Sequence, residues 1–232
     1  MTSTKELEKT LPRKAPNTER HRAVLDGLTR YKFQIYSTVS PALDGEALER
    51  LERDINSAAE PAGTGNSVLS PAARSGEHAG RPLRAVYEHH LRARDAGENA
   101  GEESTVHPLY FVVADKADWK REGLLAVHLD CGYGEQEDRI GVGRCGVDWA
   151  DSWGVNIDIG NMDWMDLKEA EQEEWGGDDP YADEDEDDDG DGGDGDGGDG
   201  DGGDGDGGDG DGGVGDDDED DGKAGDEKKS KE

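Results

Sequence analysis

The side chains best placed to do chemistry are carboxylates, imidazoles and thiols set at the ends of short apolar runs. Asp115 closes LYFVVA and Asp130 closes LLAVHL. Carboxylates at strand ends of parallel sheets often line a ligand crevice. Asp163 lies within GNMDW. Asp115, Asp130 or Asp163 would support hydrolysis or metal-assisted chemistry. GVGRCG, residues 141–146, is a literal G-x-G-x-x-G, the pattern whose glycines bring a pyrophosphate onto a helix N-terminus. It is followed by VDWADSWGV, whose acids would repel a phosphate. Glycines at a strand edge or bulge explain the motif better.

The histidines are His21, His78, His89, His90, His107 and His128, and the chain contains no H-E-x-x-H, C-x-x-C or G-x-S-x-G. His89 and His90 are adjacent in a helical stretch, so they point to different faces and do not chelate one ion together. His128, near Cys131, reads as a core or sheet-face residue. Cys131 and Cys145 are the only cysteines, and buried, inert thiols are the expectation for them in a reducing compartment. No cofactor motif emerges. Asp115 also suits the start of a short helical turn and Asp130 a turn into CGYG.

Positioning these groups falls to a few elements. TERHRAVLDGLTRYKFQIYSTV spaces Val24, Leu28, Tyr31 and Ile35 on one helical face, and DGEALERLERDINSAAE does the same for Leu48, Leu51 and Ile55 behind an Asp44 N-cap. RPLRAVYEHHLRARDAG predicts a third helix, ended by Gly97. PAGTGNSVLSPAARSGEHAGRP has the composition of a linker. LYFVVA (109–114) and LLAVHL (124–129) are buried strands, and their nine-residue connection, DKADWKREG, is too short for a parallel crossover. They are expected to be antiparallel, which would put Asp115 and Asp130 at opposite ends of the sheet. RIGVG (139–143) and VNIDI (155–159) are candidate strands, and NMDWMDLKEAEQEEW opens a helix capped by Asn161 or Asp163.

The expected class is α+β. It comprises a helical region at 1–60, a Gly/Pro/Ser linker at 61–81, a domain at 82–176 with a small antiparallel sheet and a C-terminal helix, and a disordered Asp/Gly-rich tail at 177–232. All five tryptophans lie between 119 and 175, where a small domain needs large apolar side chains. Trp149, Trp153 and Trp175 stand among glycines and acids, where they are either core or a binding face, and they are the binding candidates, since exposed tryptophans anchor interfaces.

Charge is concentrated toward the C-terminus. Residues 1–100 hold 15 Lys and Arg against 14 Asp and Glu, residues 101–176 hold 6 against 18, and residues 177–232 hold 4 against 27. Such a surface repels phosphate backbones and anionic lipid, which excludes nucleic acid and membrane as direct partners and favours basic proteins. Asp185, Asp187, Asp189 and Asp196 fit positions one, three, five and twelve of a calcium loop. Position eight is Gly192 and Glu is missing at twelve, so only weak divalent-cation association is expected. GDGGDGDGG has no aliphatic side chain to bury, so a polyanionic tether is the reading that remains. The charged N-terminus lacks the apolar stretch of a secretory signal. A soluble, cytoplasmic or nuclear protein is expected.

LYFVVADKADW, LLAVHLD and WGVNIDIGNMDWMDL together resemble the core of a family of uncharacterised microbial proteins known as a domain of unknown function. In it a Y-L-V-V-A-D strand precedes an apolar strand ending in Asp and an N-L-S-I-A-N-M-D-F segment. The matching residues are Tyr110 to Asp115, Leu124 to Asp130 and Asn156 to Leu167. The likeness spans roughly residues 105–170. It departs in the loop CGYGEQEDR and in an N-terminal strand with an Arg-Thr-Asp turn. The family has no assigned activity, so the resemblance implies a module and no mechanism. The function expected is a non-catalytic interaction module with a tether for basic partners, and the alternative is an enzyme using Asp115, Asp130 or Asp163.

Overall fold

The computed structural model describes residues 2–25, 32–59, 65–96, 106–131 and 139–177. Among them, β1 (Lys32–Ser37), β2 (Ser67–Leu69), β3 (Val106–Ala114), β4 (Leu124–His128) and β5 (Gly141–Cys145) form one sheet in the order β2-β1-β3-β4-β5. β1 is parallel to both β2 and β3, whereas β3 with β4 and β4 with β5 are antiparallel. The class is α+β. The sheet is mixed rather than wholly antiparallel because α3 (Gly45–Ala59) crosses over between β1 and β2.

Side chains leave the strands alternately, so each apolar run supplies two cores. Tyr110, Val112 and Ala114 of β3 and Leu124 and Ala126 of β4 meet Leu48, Leu51 and Ile55 of α3 on one face. α6 (Trp119–Glu122), α7 (Ala150–Asp158) and α8 (Trp164–Trp175) add Trp119, Trp153, Trp164 and Leu167 there. Leu109, Phe111, Val113, Leu125 and Val127 point the other way, onto Leu83, Val86 and Tyr87 of α5 (Leu83–Asp95). Burial on both faces is why LYFVVA and LLAV are continuous apolar runs.

α1 (Thr4–Glu8) and the chain after it lie along β5, an outer strand of the sheet. Asp44 caps α3 by accepting the Ala47 N–H at 2.8 Å. Asp163 caps α8 through a full capping box with Asp166. Gly97 lies outside the described residues.

Four expectations are corrected. The helix over 18–39 ends as α2 (Thr18–Leu25), and KFQIYS is β1. Phe33 and Ile35 enter one core and Tyr36 the other, so pairing with β2 and β3 outweighs the helical spacing. The stretch taken as a linker contributes β2 and α4 (Pro71–Ser75), with Leu69, Ala72 and Ala73 buried. The sheet therefore extends before residue 82. VNIDI is not a strand but the second half of α7, because that helix must lay Gly154 against the rings of Phe33 and Tyr110, where an added Cβ would sit 2.5–2.9 Å from them. RIGVG is displaced by two residues, β5 beginning at Gly141.

Candidate functional site

The first two glycines of GVGRCG serve packing. Gly141 and Gly143 lie on β5 beneath α8, and a Cβ on Gly141 would come within 2.4 Å of Cys131 Sγ and of Trp164. One on Gly143 would come within 2.0 Å of Leu167 Cδ2. At these two positions the strand lacks side chains, so the helix can approach it.

That approach also shapes a cleft. Trp149, Trp153 and Trp175 line one cavity of about 490 Å³, together with Arg144, Cys145 and Gly146 from the end of β5 and Asp166, Glu169, Glu173 and Glu174 from α8. The three tryptophans contribute differently. Trp153 is core, at 5% exposure, and Trp149 is 51% exposed with its ring centroid 6.3 Å from that of Trp153. Trp175 is partly buried and its Nε1–H donates to Arg121 O at 3.4 Å. Arg144 does not neutralise the acids of α8, because its guanidinium turns to Asp115. Nη1 and Nη2 donate to the two carboxylate oxygens at 3.0 and 2.9 Å, and Nη1 also donates to Glu122 O at 2.9 Å.

Asp115 is thus held in a nearly buried ion pair, with Lys116 Nζ at 3.4 Å. Asp130 is gripped by Arg22, whose Nε donates to Oδ2 at 2.7 Å and whose Nη2 engages the same carboxylate. β3 and β4 run antiparallel, so Asp115 and Asp130 stand at opposite ends of the sheet. Asp130 does share a cavity of about 400 Å³ with Asp163, Asp166, Cys131 and Asn161. Within it Asp163 Oδ1 accepts the N–H groups of Met165 and Asp166 at 2.7 and 3.1 Å, which is a capping duty.

His90 and His128 are buried imidazoles in hydrogen-bonded positions. Burial holds His90 down to about 3 and His128 down to about 4. Tyr36 Oη lies 3.1 Å from His90 Nδ1, and His128 Nδ1 accepts the Asp130 N–H at 3.2 Å. Cys131 and Cys145 are free, buried thiols. Desolvation raises both, Cys145 to about 12, so neither is poised as a nucleophile.

Sequence reasoning missed Glu77, His78 and His89, whose ligand atoms all lie within 4.8 Å of one another. His78 lies in a stretch with the composition of a linker, and nothing in the sequence relates His89 to it. Asp185, Asp187, Asp189 and Asp196, and the tail as a whole, lie outside the described residues. Among the described residues no helix is long and apolar enough to cross a membrane. Searches against protein-family models, curated proteins and solved structures found no match for the chain.

Proposed function

We propose that the protein is a non-catalytic interaction module that takes a Lys- or Arg-rich segment of a partner protein into the tryptophan cleft. The observation that carries this reading is the meeting of Trp149, Trp153 and Trp175 with Asp166, Glu169, Glu173 and Glu174 around one cavity. An ammonium or guanidinium over an indole face gains cation–π attraction, and a rim of carboxylates adds charge complementarity. The acidic residues 177–232 would raise the encounter rate of the same partner through long-range attraction, strongest at low salt. The resemblance to a family without assigned activity is compatible with such a module.

Binding of a fluorescent Lys/Arg-rich peptide tests this, with an acetylated and citrullinated peptide as control. Trp149→Ala should weaken binding by roughly 2- to 30-fold, as loss of 0.5–2 kcal/mol of cation–π attraction would. A chain ending at Gly177 should keep the effect of Trp149→Ala while losing much of the salt dependence. Equal affinity of Trp149→Ala and the parent chain at every salt concentration would sink the cleft.

The alternative enzyme would have to draw on Asp130 and Asp163, which share the 400 Å³ cavity. Asp115 stands at the other end of the sheet.

A further inference from the structure

We infer that Glu77, His78 and His89 form a binding site for a divalent transition-metal ion of the zinc class. Two imidazoles and a carboxylate suit zinc and its neighbours, and three protein ligands leave a fourth position for water or for a group donated by a partner.

The chain brings these residues together from two segments. Glu77 and His78 leave α4 through a Schellman turn, in which Glu77 N–H donates to Ala72 O and Gly76 N–H to Ala73 O, both at 3.1 Å. Gly76 takes the left-handed conformation this turn requires, with φ 68°. Two residues beyond His78, Gly80 N–H donates to Thr38 O at 2.9 Å, tying the loop to the chain that follows β1. His89 comes from the second turn of α5. Tyr36, fully buried, backs the site, with its ring centroid 5.9 Å from that of His78 and 6.0 Å from that of His89. The ligand backbones are thereby fixed, and Glu77, the exposed member, marks the way in.

One local feature is unexplained without a ligand. His78 is 4% exposed, yet its Nε2 has no hydrogen-bond partner, which costs free energy in a protein interior. His89 Nδ1 and Glu77 Oε1 are 3.7 Å apart, beyond a hydrogen bond. Two atoms that each sit 2.0–2.1 Å from a tetrahedral ion are separated by about 3.3 Å. The ligand atoms lie within 4.8 Å of one another, so binding an ion requires them to close by up to about 1.5 Å.

Arg81 and Arg92 lie near His78. They oppose a bare cation, which makes the Glu77 carboxylate essential. The cluster borders the core that holds Tyr36, across the sheet from Trp153 and its cleft, so it stands independently of the proposed function.

The full chain is titrated with Zn²⁺ against a chromophoric chelator, in a large excess of Ca²⁺ to occupy the carboxylate-rich tail, and with Co²⁺ followed by visible absorption. One tight equivalent is expected, with intense tetrahedral d–d bands and a rise in unfolding temperature on adding Zn²⁺. His89→Ala, at a half-buried position, should unfold at the temperature of the metal-free parent. It should lose more than the roughly 10- to 100-fold in affinity that follows removal of an outer-sphere partner. Glu77→Gln should weaken binding in the same direction. Equal Zn²⁺ affinity in the parent and His89→Ala, or binding abolished by the Ca²⁺ excess, would overturn the site.

Discussion

The Glu8 carboxylate accepts the N–H of Val142 at 3.1 Å, joining α1 to the outer strand β5. Ile140 N–H, two residues earlier, donates to Arg13 O at 3.0 Å. A strand at the margin of a sheet offers unpaired N–H groups to other chains, and here the N-terminal segment takes them up. Thr4 and Lys168 reinforce the contact from behind. Thr4 Oγ1–H donates to Glu171 Oε1 at 2.6 Å, and Lys168 Nζ donates to Thr4 Oγ1 at 2.8 Å and to Glu171 Oε2 at 2.6 Å.

Glu8→Ala is therefore expected to cost about 1–3 kcal/mol, the desolvation of an unsatisfied buried N–H, and to raise self-association near the unfolding midpoint. Urea denaturation and light scattering read the two effects. An unchanged midpoint would mean that water satisfies Val142 equally well.

The glycines of G-x-G-x-x-G should separate by position. Gly143→Ala forces a Cβ against Leu167 Cδ2 and is expected to cost roughly 1–3 kcal/mol as overpacking. Combining it with Leu167→Ala should give less than the sum of the single losses, since one change relieves the other. Gly146→Ala meets nothing closer than 3.8 Å and should fall within about 0.5 kcal/mol of the parent. A nucleotide loop would demand its third glycine, so a severe Gly146→Ala defect would count against the packing account.

Much of the sheet was legible because β3 and β4 are apolar on both faces and joined by a short connection. Capping was legible too, since Asp44 and Asp163 act within three residues of themselves. β1 was not, because Val24, Leu28, Tyr31 and Ile35 keep helical spacing across its start. Only β2 and β3, distant in sequence, decide the matter. The same holds for the functional groups. Trp149, Trp153 and Trp175 could be singled out by composition, but their meeting at one cavity depends on α8 lying on β5. The Glu77, His78 and His89 cluster joins a supposed linker to a helix, and spacing alone carries no trace of it.

Arg144 and Asp115 make the clearest case of a carboxylate committed to structure. Their side chains are 7% and 14% exposed. Arg144→Met should cost about 3–5 kcal/mol by leaving Asp115 an uncompensated charge, with Lys116 at 3.4 Å offsetting part of it. Arg144→Met with Asp115→Leu should recover most of the loss. A double variant as unstable as Arg144→Met alone would show that the guanidinium acts through Glu122 O and Gly123 O instead.

Acid should destabilise the fold through its buried imidazoles. His90 and His128 are held near 3 and 4, below the ordinary 6.5. As pH falls through 6.5 the unfolded chain gains a proton at each position and the native chain does not. Stability is therefore full above about 6.5 and declines toward the native values, by up to about 1.4 kcal/mol per pH unit for each histidine. The excess of Asp and Glu acts oppositely at first, since lowering pH relieves like-charge repulsion in a chain of net charge −34. The histidine contribution must be read as a difference between chains. Between about pH 6 and 4.5 the unfolding free energy of His128→Gln should fall less steeply than that of the parent, by up to about 1.4 kcal/mol per unit. Parallel stability curves for the two would mean that His128 takes up its proton without unfolding.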